Sequence, residues 1–163
     1  MIYVGWDCGK SGAYVAIGGC EIIQKGLFPT VKDGKGRDYD IKALEWIVKN
    51  LAEFTHIIED PGKHAPSASG LYSMTASFWA LKTLMVVHGC RHHVVSARKW
   101  QNTYWTRPKM PKGAKFDTKA QALKCAKMLW PGETWLATDR CRKEHDGLID
   151  ASLIAEYGRR LNL

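Results

Sequence analysis

Three strand-like segments separated by glycine-rich turns open the chain, and this pattern constrains the fold more than any other feature of the sequence. Apolar and polar residues follow a strand-like pattern over residues 2–7, 13–17 and 21–28, and glycines cluster in the turns at residues 9–12 and 18–19. This spacing is typical of an antiparallel meander. The sequence therefore predicts three adjacent antiparallel strands at the start of the fold.

The next segments alternate between helical and strand-like patterns. Asp40 has N-cap chemistry, and apolar residues recur at helical spacing over residues 41–51, so an amphipathic helix leads into a short strand at residues 56–59. A strand that is reached through a helix usually lies parallel to its neighbour, with a right-handed crossover. Another short strand is expected at residues 94–95.

The remaining pattern is helical and completes an α/β fold. A loop is predicted at residues 62–70, and helices are predicted at residues 71–88, near 98–104, and at about 118–130 and 144–161. The expected architecture is a mixed five-stranded sheet, a three-strand antiparallel meander plus two parallel strands, flanked by helices. We expect one domain over residues 1–163, because this length buries a core without disulfide or zinc cross-links.

The cysteines and the hydropathy of the chain predict its cellular compartment. Its five cysteines are odd in number and include no CxxC pair, which is typical of free thiols in a reducing compartment. The sequence shows neither a signal peptide nor an apolar stretch of about 18 residues that would span a membrane. We therefore expect a soluble, cytoplasmic protein without a membrane partner.

The net charge of +8 is concentrated in one segment. Residues 91–127 contain ten Lys or Arg and one acid, so they carry +9, and the other 14 bases and 15 acids leave the rest of the chain at −1. Such a patch favours a polyanion partner over a solvated basic loop. The predicted nucleic-acid contacts are Arg98, Lys99, Arg107, Lys109, Lys112, Lys115 and Lys119. The aromatic residues among them, Trp100, Tyr104 and Trp105, are candidates for base stacking, and Trp100 equally for anchoring the core.

Carboxylates occupy the ends of two predicted strands and one face of the last helix. Asp7 and Glu59 each precede a turn, so parallel strands would bring both side chains to the sheet edge where α/β proteins bind ligands. Asp146 and Asp150 lie one turn apart on a largely apolar helix. Buried acids need compensation, and carboxylate oxygens suit Mg²⁺ or Mn²⁺ rather than zinc.

Five segments of the chain occur in a characteristic order. They are residues 5–13 (Gly-Trp-Asp-Cys-Gly-Lys-Ser-Gly-Ala), residues 57–59, the basic residues 96–100, the lysine-bearing helix start at 118–122, and the acidic helix 145–155. Together they resemble the motifs of RuvC-type Holliday junction resolvases, and the details look closer to the phage-borne branch than to the bacterial housekeeping one. The resemblance covers nearly the whole chain.

The resemblance implies an RNase H-like fold, a homodimer, and Mg²⁺-dependent, two-metal hydrolysis of phosphodiesters in four-way or other branched DNA. For a phage-borne protein the location would be the cytoplasm of the bacterial host. Carried over by motif, the metal ligands are Asp7, Glu59, Asp146 and Asp150, with His145 as an alternative to Asp146, and the residues that hold the scissile phosphate are Lys119 and Lys99. The family often has its fourth acid where this chain has Gly147, so the sequence leaves Asp146 and His145 open.

Two other functions and one other role for Asp150 remain as alternatives. A non-catalytic branched-DNA binding protein would gain from losing acids beside the phosphates, so four retained acids argue against it. A phosphotransferase or ATPase of the sugar-kinase and actin type shares the first motif, but such proteins need two full domains. Asp150 would pair with Arg98 or Arg159 if it had no metal to bind.

Overall fold

A computed structural model describes residues 1–62, 67–111 and 113–163. Within these ranges the elements are, in chain order, β1 (Ile2–Asp7), β2 (Ala13–Gly18), β3 (Glu21–Leu27), β4 (Thr30–Asp33), β5 (Gly36–Tyr39), α1 (Ile41–Asn50), β6 (Thr55–Asp60), α2 (Ala68–Val87), β7 (His92–Ser96), α3 (Ala97–Gln101), α4 (Thr118–Leu129) and α5 (Asp146–Leu161). Lys112 and residues 63–66 of the predicted loop at 62–70 lie outside the described residues.

Five of the strands form one mixed sheet in the order β3-β2-β1-β6-β7. Strand β2 is antiparallel to both of its neighbours, β1 and β3, whereas β6 is parallel to both of its neighbours, β1 and β7. This arrangement confirms the predicted meander followed by two parallel strands. Strand β1 is central, and both of its faces are covered, which explains its nearly continuous apolar sequence.

The two faces of the sheet bury separate cores, because successive side chains of a strand point to opposite faces. On one face, Tyr3 and Ile57 belong to a core built with α4 and α5. On the other face, Val4 and Ile58 belong to a core built with α1 and α2. Helix α5 is buried along most of its length, as its almost uniformly apolar sequence predicts. Among the described residues, neither α2 nor any shorter helix combines the length and hydropathy needed to cross a bilayer.

The β4–β5 hairpin is absent from the predicted elements. Its two strands pair antiparallel from Thr30 opposite Tyr39 to Asp33 opposite Gly36, and Gly34 has a φ of 53° in the turn. Glycine at the first position of a two-residue turn is a common hairpin signal. Both strands are largely exposed, so they lack the alternation of apolar and polar residues that indicates a half-buried strand.

Two helix boundaries differ from the predicted ones. Helix α2 begins at Ala68, inside the predicted loop, because the Ser67 hydroxyl caps it by accepting a hydrogen bond from the Gly70 amide at 3.0 Å. Helix α3 covers Ala97–Gln101 and follows β7 directly, so it is shorter than predicted.

A fully buried histidine links β6 to its neighbours in the core that contains α1. His56 accepts a hydrogen bond at Nδ1 from Trp6 Nε1 at 3.1 Å, and its Nε2 lies 3.0 Å from the Leu51 carbonyl oxygen. A neutral ring with its proton on Nε2 satisfies both contacts. Burial lowers the pKa of His56 to about 4.

We expect the His56 contribution to folding stability to be lost as the pH falls from 6.5 towards 4. An unfolded histidine binds a proton near pH 6.5, whereas folded His56 resists protonation until about pH 4, so acid favours the unfolded chain. The full shift corresponds to roughly 3 kcal/mol. Urea unfolding of wild type and His56→Gln at pH 7.5 and 5.0 isolates this contribution. An equal loss of stability in both proteins on acidification would contradict the assignment.

Candidate active site

Two strand ends bring the first pair of predicted carboxylates together. Strands β1 and β6 are parallel, with Trp6 opposite Ile58, so Asp7 and Glu59 leave the sheet side by side at the same edge. A positive φ of 139° at Gly9 turns the chain sharply after Asp7. The edge at the carboxyl ends of parallel strands is where open α/β sheets bind ligands.

Helix α5 reaches this edge because two glycines permit an unusually close approach. A Cβ at Gly5 would lie 2.1 Å from the Ala151 carbonyl oxygen and 2.4 Å from the Ala155 amide nitrogen, so α5 rests directly on the backbone of β1. A Cβ at Gly147 would lie 2.9 Å from Asp7 Oδ2. Position 147 therefore has no room for an acidic side chain, which explains why the acids of this helix lie at other positions.

Burial and mutual repulsion raise the pKa of three carboxyl groups at this edge. Burial is the largest cause of the strongly raised pKa of Asp7, and the charges of Asp150, Glu59 and Asp146 add to it. Burial is also the main reason why the pKa values of Glu59 and Asp150 rise to about 7. All four side chains keep partial contact with solvent. The sequence-predicted acids thus form one electrostatically coupled group, here named the acidic cluster.

Lys119 is the base that compensates the acidic cluster. Its Nζ forms an ion pair with Asp146 Oδ2 at the start of α5. Its side chain is 70% exposed, so the amine can also turn to a ligand in solution. Asp117 caps α4 by accepting a hydrogen bond from the Ala120 amide at 3.0 Å, and this cap places Lys119 in the first turn of the helix.

The alternative pairing of Asp150 with an arginine is not seen. Arg159 forms its ion pair with Glu156 on the same helix, through Nε at 2.6 Å from Oε2. Within residues 1–62, 67–111 and 113–163, neither Arg98 nor any other basic side chain forms an ion pair with Asp150. Asp150 therefore has no ion-pair partner among the described residues, and burial raises its pKa.

His145 has a different position from the acids. It is the N-cap of α5, and its Nδ1 accepts the Leu148 amide hydrogen bond at 3.3 Å. Burial lowers the pKa of the ring, so His145 is neutral at pH 7. In contrast, the charge of Asp146 raises the pKa values of both Asp7 and Asp150. Asp146 therefore shares the electrostatic coupling of the other three carboxylates, and His145 directly precedes it at the start of α5.

The aromatic residues of the basic segment are largely in the core, which corrects the expectation that they stack on bases. Trp100 is completely buried and Trp105 is 7% exposed, so neither indole offers a free face to a base. Tyr104 is partly exposed, but its hydroxyl donates to the Leu153 carbonyl oxygen at 2.6 Å. The Trp100 Nε1 donates a 2.6 Å hydrogen bond to Glu59 Oε2, a contact that the sequence does not reveal.

The predicted nucleic-acid-binding bases that the structure describes lie on the surface, and Lys119 contacts the acidic cluster. The exposed ones are Arg98, Lys99, Arg107, Lys109, Lys115 and Lys119, and Lys112 lies outside the described residues. Arg98 and Arg107 line a cavity of about 510 Å³. A cavity of about 300 Å³ on another side of the Gly9–Gly12 turn is lined by Lys10, Arg37 and His145. Charge counting along the sequence missed this second basic group, because the hairpin that contributes Arg37 also contains acids.

The donor set of the acidic cluster fits Mg²⁺ or Mn²⁺. No group of three or more His, Cys, Asp or Glu side chains is close enough to form a ready-made metal site in the described part of the chain. Mg²⁺ does not require one, because it usually keeps several waters and is bound by one or two carboxylates together with substrate phosphates. Burial and repulsion raise the pKa values of Asp7, Glu59 and Asp150, and a bound divalent cation would favour their ionised forms.

Comparisons with known proteins agree with this architecture. No family model and no curated protein matches the sequence. The structure is similar to Thermus thermophilus RuvC in complex with a Holliday junction substrate, with a TM-score of 0.60 and 9% identity over 99% of this chain and 96% of that chain. A second Thermus thermophilus RuvC structure gives a TM-score of 0.61 and 11% identity over 99% and 97% of the two chains. The chain has the RuvC fold, so the predicted RNase H-like fold is confirmed.

Proposed function

We propose that this protein is a metal-dependent endonuclease that resolves four-way or other branched DNA. The acidic cluster carries this proposal, because Asp7, Glu59, Asp146 and Asp150 meet at the ligand-binding edge of a RuvC-like sheet beside a segment of charge +9. A similar structure contains a Holliday junction substrate, and the fold by itself supports many functions. A cytoplasmic location, in the bacterial host if a phage encodes the chain, belongs to the same proposal and agrees with five free cysteines.

The residues of the acidic cluster have distinct roles in the proposed reaction. Asp7 would hold two cations, Glu59 one of them, and Asp146 and Asp150 would complete the ligand set. Bound Mg²⁺ would supply an activated water and stabilise the leaving 3′-oxygen. Lys119 would release Asp146 and neutralise the scissile phosphate, for which its exposed amine is suitably placed.

A direct cleavage assay tests the function. A four-way junction, a fork and a linear duplex of the same sequence are incubated with the protein in Mg²⁺ or EDTA. We expect Mg²⁺-dependent nicks in the branched substrates and none in the linear duplex. Tight binding without nicks would instead support the non-catalytic DNA-binding alternative, and equal cutting of the linear duplex would contradict structure selectivity.

We expect Lys119→Ala to slow the nicking step by about 10- to 100-fold with only a modest loss of junction binding. The reason is that Lys119 contacts the acidic cluster directly, whereas most phosphate contacts lie elsewhere on the basic surface. Lys124→Ala is the matched control, because it removes the same charge from an exposed position of the same helix. Single-turnover rates at saturating protein measure the effect. Equal rates for the two variants would contradict the role of Lys119.

The same proposal includes a homodimer, because paired cuts in a four-way junction need two active sites. An exposed apolar face on α2 supports it. One side of α2 packs into the core through Phe78, Leu81 and Met85. The opposite side exposes large apolar side chains, namely Tyr72, Trp79, Val86 and Val87. Large apolar side chains exposed along one helix often mark an interface, and a second copy of the chain is the partner that the function requires.

We expect Trp79→Glu to weaken self-association by at least about 30-fold, because a buried charge replaces an aromatic anchor. Trp79 is 56% exposed in the single chain. Met128→Glu is the control, because Met128 is 73% exposed on α4 and therefore belongs to a different surface. Sedimentation velocity over a range of protein concentrations measures both variants. A monomeric wild-type protein, or equal association of the two variants, would contradict this interface.

A further inference from the structure

We propose that Trp100 is a positioning residue that orients Glu59 for binding a divalent cation. The inference rests on the proposed nuclease function, since it concerns how that site is assembled. The Trp100 indole is completely buried, and its Nε1 donates a 2.6 Å hydrogen bond to Glu59 Oε2. A glutamate side chain has three rotatable bonds, so this hydrogen bond limits the orientations of the carboxylate and leaves Oε1 for a ligand.

The backbone around Trp100 places its indole next to Glu59. Glu59 pairs with Val95 of the neighbouring parallel strand β7, and α3 begins immediately after that strand. Trp100 therefore lies one helical turn beyond the strand that adjoins Glu59. Because α3 follows β7 without an intervening loop, the sheet fixes the position of the indole.

Aromatic packing holds the Trp100 ring in place. Trp105 packs edge-to-face against it, with ring centroids 5.9 Å apart and an interplanar angle of 85°. Tyr104 also packs against it with centroids 6.3 Å apart, and the Tyr104 hydroxyl donates to the Leu153 carbonyl oxygen of α5. Helix α5 also carries Asp150. The donor to Glu59 is thus tied to the helix that contributes another carboxylate of the acidic cluster.

The other tryptophans show that packing alone does not require this hydrogen bond. The indole N–H groups of Trp105 and Trp135 are buried and find no acceptor among the described residues. Trp130 donates to the backbone carbonyl of Cys20 at 2.9 Å, away from the acidic cluster. The core therefore buries indoles with an N–H acceptor, as Trp6 with His56, and indoles without one, so burying Trp100 does not by itself require the hydrogen bond to Glu59.

Two tryptophan-to-phenylalanine variants separate positioning from packing. Trp100→Phe removes the N–H that Glu59 accepts, whereas Trp135→Phe removes a buried N–H without an acceptor in the described ranges, from a tryptophan that packs against Trp130. Mn²⁺ binding to the DNA-free proteins is measured by electron paramagnetic resonance, and junction nicking is measured as a function of Mg²⁺ concentration. We expect Trp100→Phe to weaken Mn²⁺ binding about 10- to 100-fold and to raise the half-saturating Mg²⁺ concentration similarly. Trp135→Phe should match wild type in both measurements.

An isosteric replacement distinguishes loss of the hydrogen bond from a folding defect in Trp100→Phe. Benzothienylalanine at position 100 keeps the shape of the indole and lacks only the N–H, so it should reproduce the loss of metal affinity with an unchanged melting temperature. Combining Trp100→Phe with Glu59→Gln should add no further loss, because the tryptophan acts through that glutamate. Wild-type Mn²⁺ affinity in the benzothienylalanine protein would overturn the inference alone. Failure of wild type to bind Mn²⁺ and nick junctions would overturn the nuclease proposal together with it.

Discussion

Replacing Asp7 with asparagine is expected to abolish metal-dependent nicking of a four-way junction, with a rate loss of about 10³-fold or more, equivalent to about 4 kcal/mol of barrier. Asp7 lies at the centre of the acidic cluster, since the charges of Asp150, Glu59 and Asp146 all raise its pKa. An amide keeps the size of the side chain and removes its charge. Junction binding should be at least as tight, because less negative charge then faces the DNA phosphates.

The control for Asp7→Asn is Glu53→Gln, which makes the same chemical change at an exposed residue. Glu53 precedes β6, whereas Glu59 lies near the end of that strand, so the control acts at the opposite edge of the sheet. Single-turnover nicking and filter binding are measured for wild type and both variants. A nicking rate of Asp7→Asn within a few-fold of wild type would contradict the assignment of the site.

We expect Mg²⁺ to stabilise the wild-type protein against heat, and we expect the stabilisation to be larger at pH 8 than at pH 6.5. The raised pKa values of Glu59 and Asp150, both about 7, mean that the folded chain holds protons that the unfolded chain has lost. Their contribution to stability is present at low pH and is lost as the pH rises through 7. A cation that binds the ionised carboxylates offsets that loss.

The size of the metal effect follows from ligand linkage. At a concentration of 100 times its Kd, a ligand stabilises the folded state by about 2.7 kcal/mol, which raises the melting temperature of a chain of this length by roughly 5–10 °C. Asp150→Asn should be more stable than wild type without metal and should respond less to Mg²⁺. Melting curves at pH 6.5 and 8, with NaCl of equal ionic strength as the salt control, test both statements. A wild-type melting temperature unaffected by Mg²⁺ would contradict the metal proposal.

The order of strands and helices was largely predictable, because it depends on patterns within short segments of the sequence. Glycine turns separate the first three strands, and the helix at residues 41–51 makes the following strand parallel to β1. The β4–β5 hairpin was not predictable in the same way. Its exposed strands bury no face, so hydrophobic periodicity could not distinguish them from a loop.

The carboxylates of the site were predictable for a related reason. Asp7 and Glu59 lie at the ends of apolar strands, and Asp146 and Asp150 lie on an apolar helix. Burying a charged carboxylate among apolar residues costs free energy, so acids at such positions indicate a functional role. Their contacts were not predictable, because each joins residues far apart in the chain. The ion pair of Lys119 with Asp146 and the completely buried position of Trp100 are of this kind.

The sequence by itself determined the order of strands and helices and the acids that have no place in an apolar core, because both depend on short-range patterns. Tertiary structure alone decided how those acids meet. Helix α5 can rest on β1 only where Gly5 and Gly147 leave space, and that contact brings its acids to Asp7. Tertiary structure also decided that Trp100 contacts Glu59 rather than a base. The packing of α3 against α5 and the sheet buries the indole completely and directs its N–H towards Glu59.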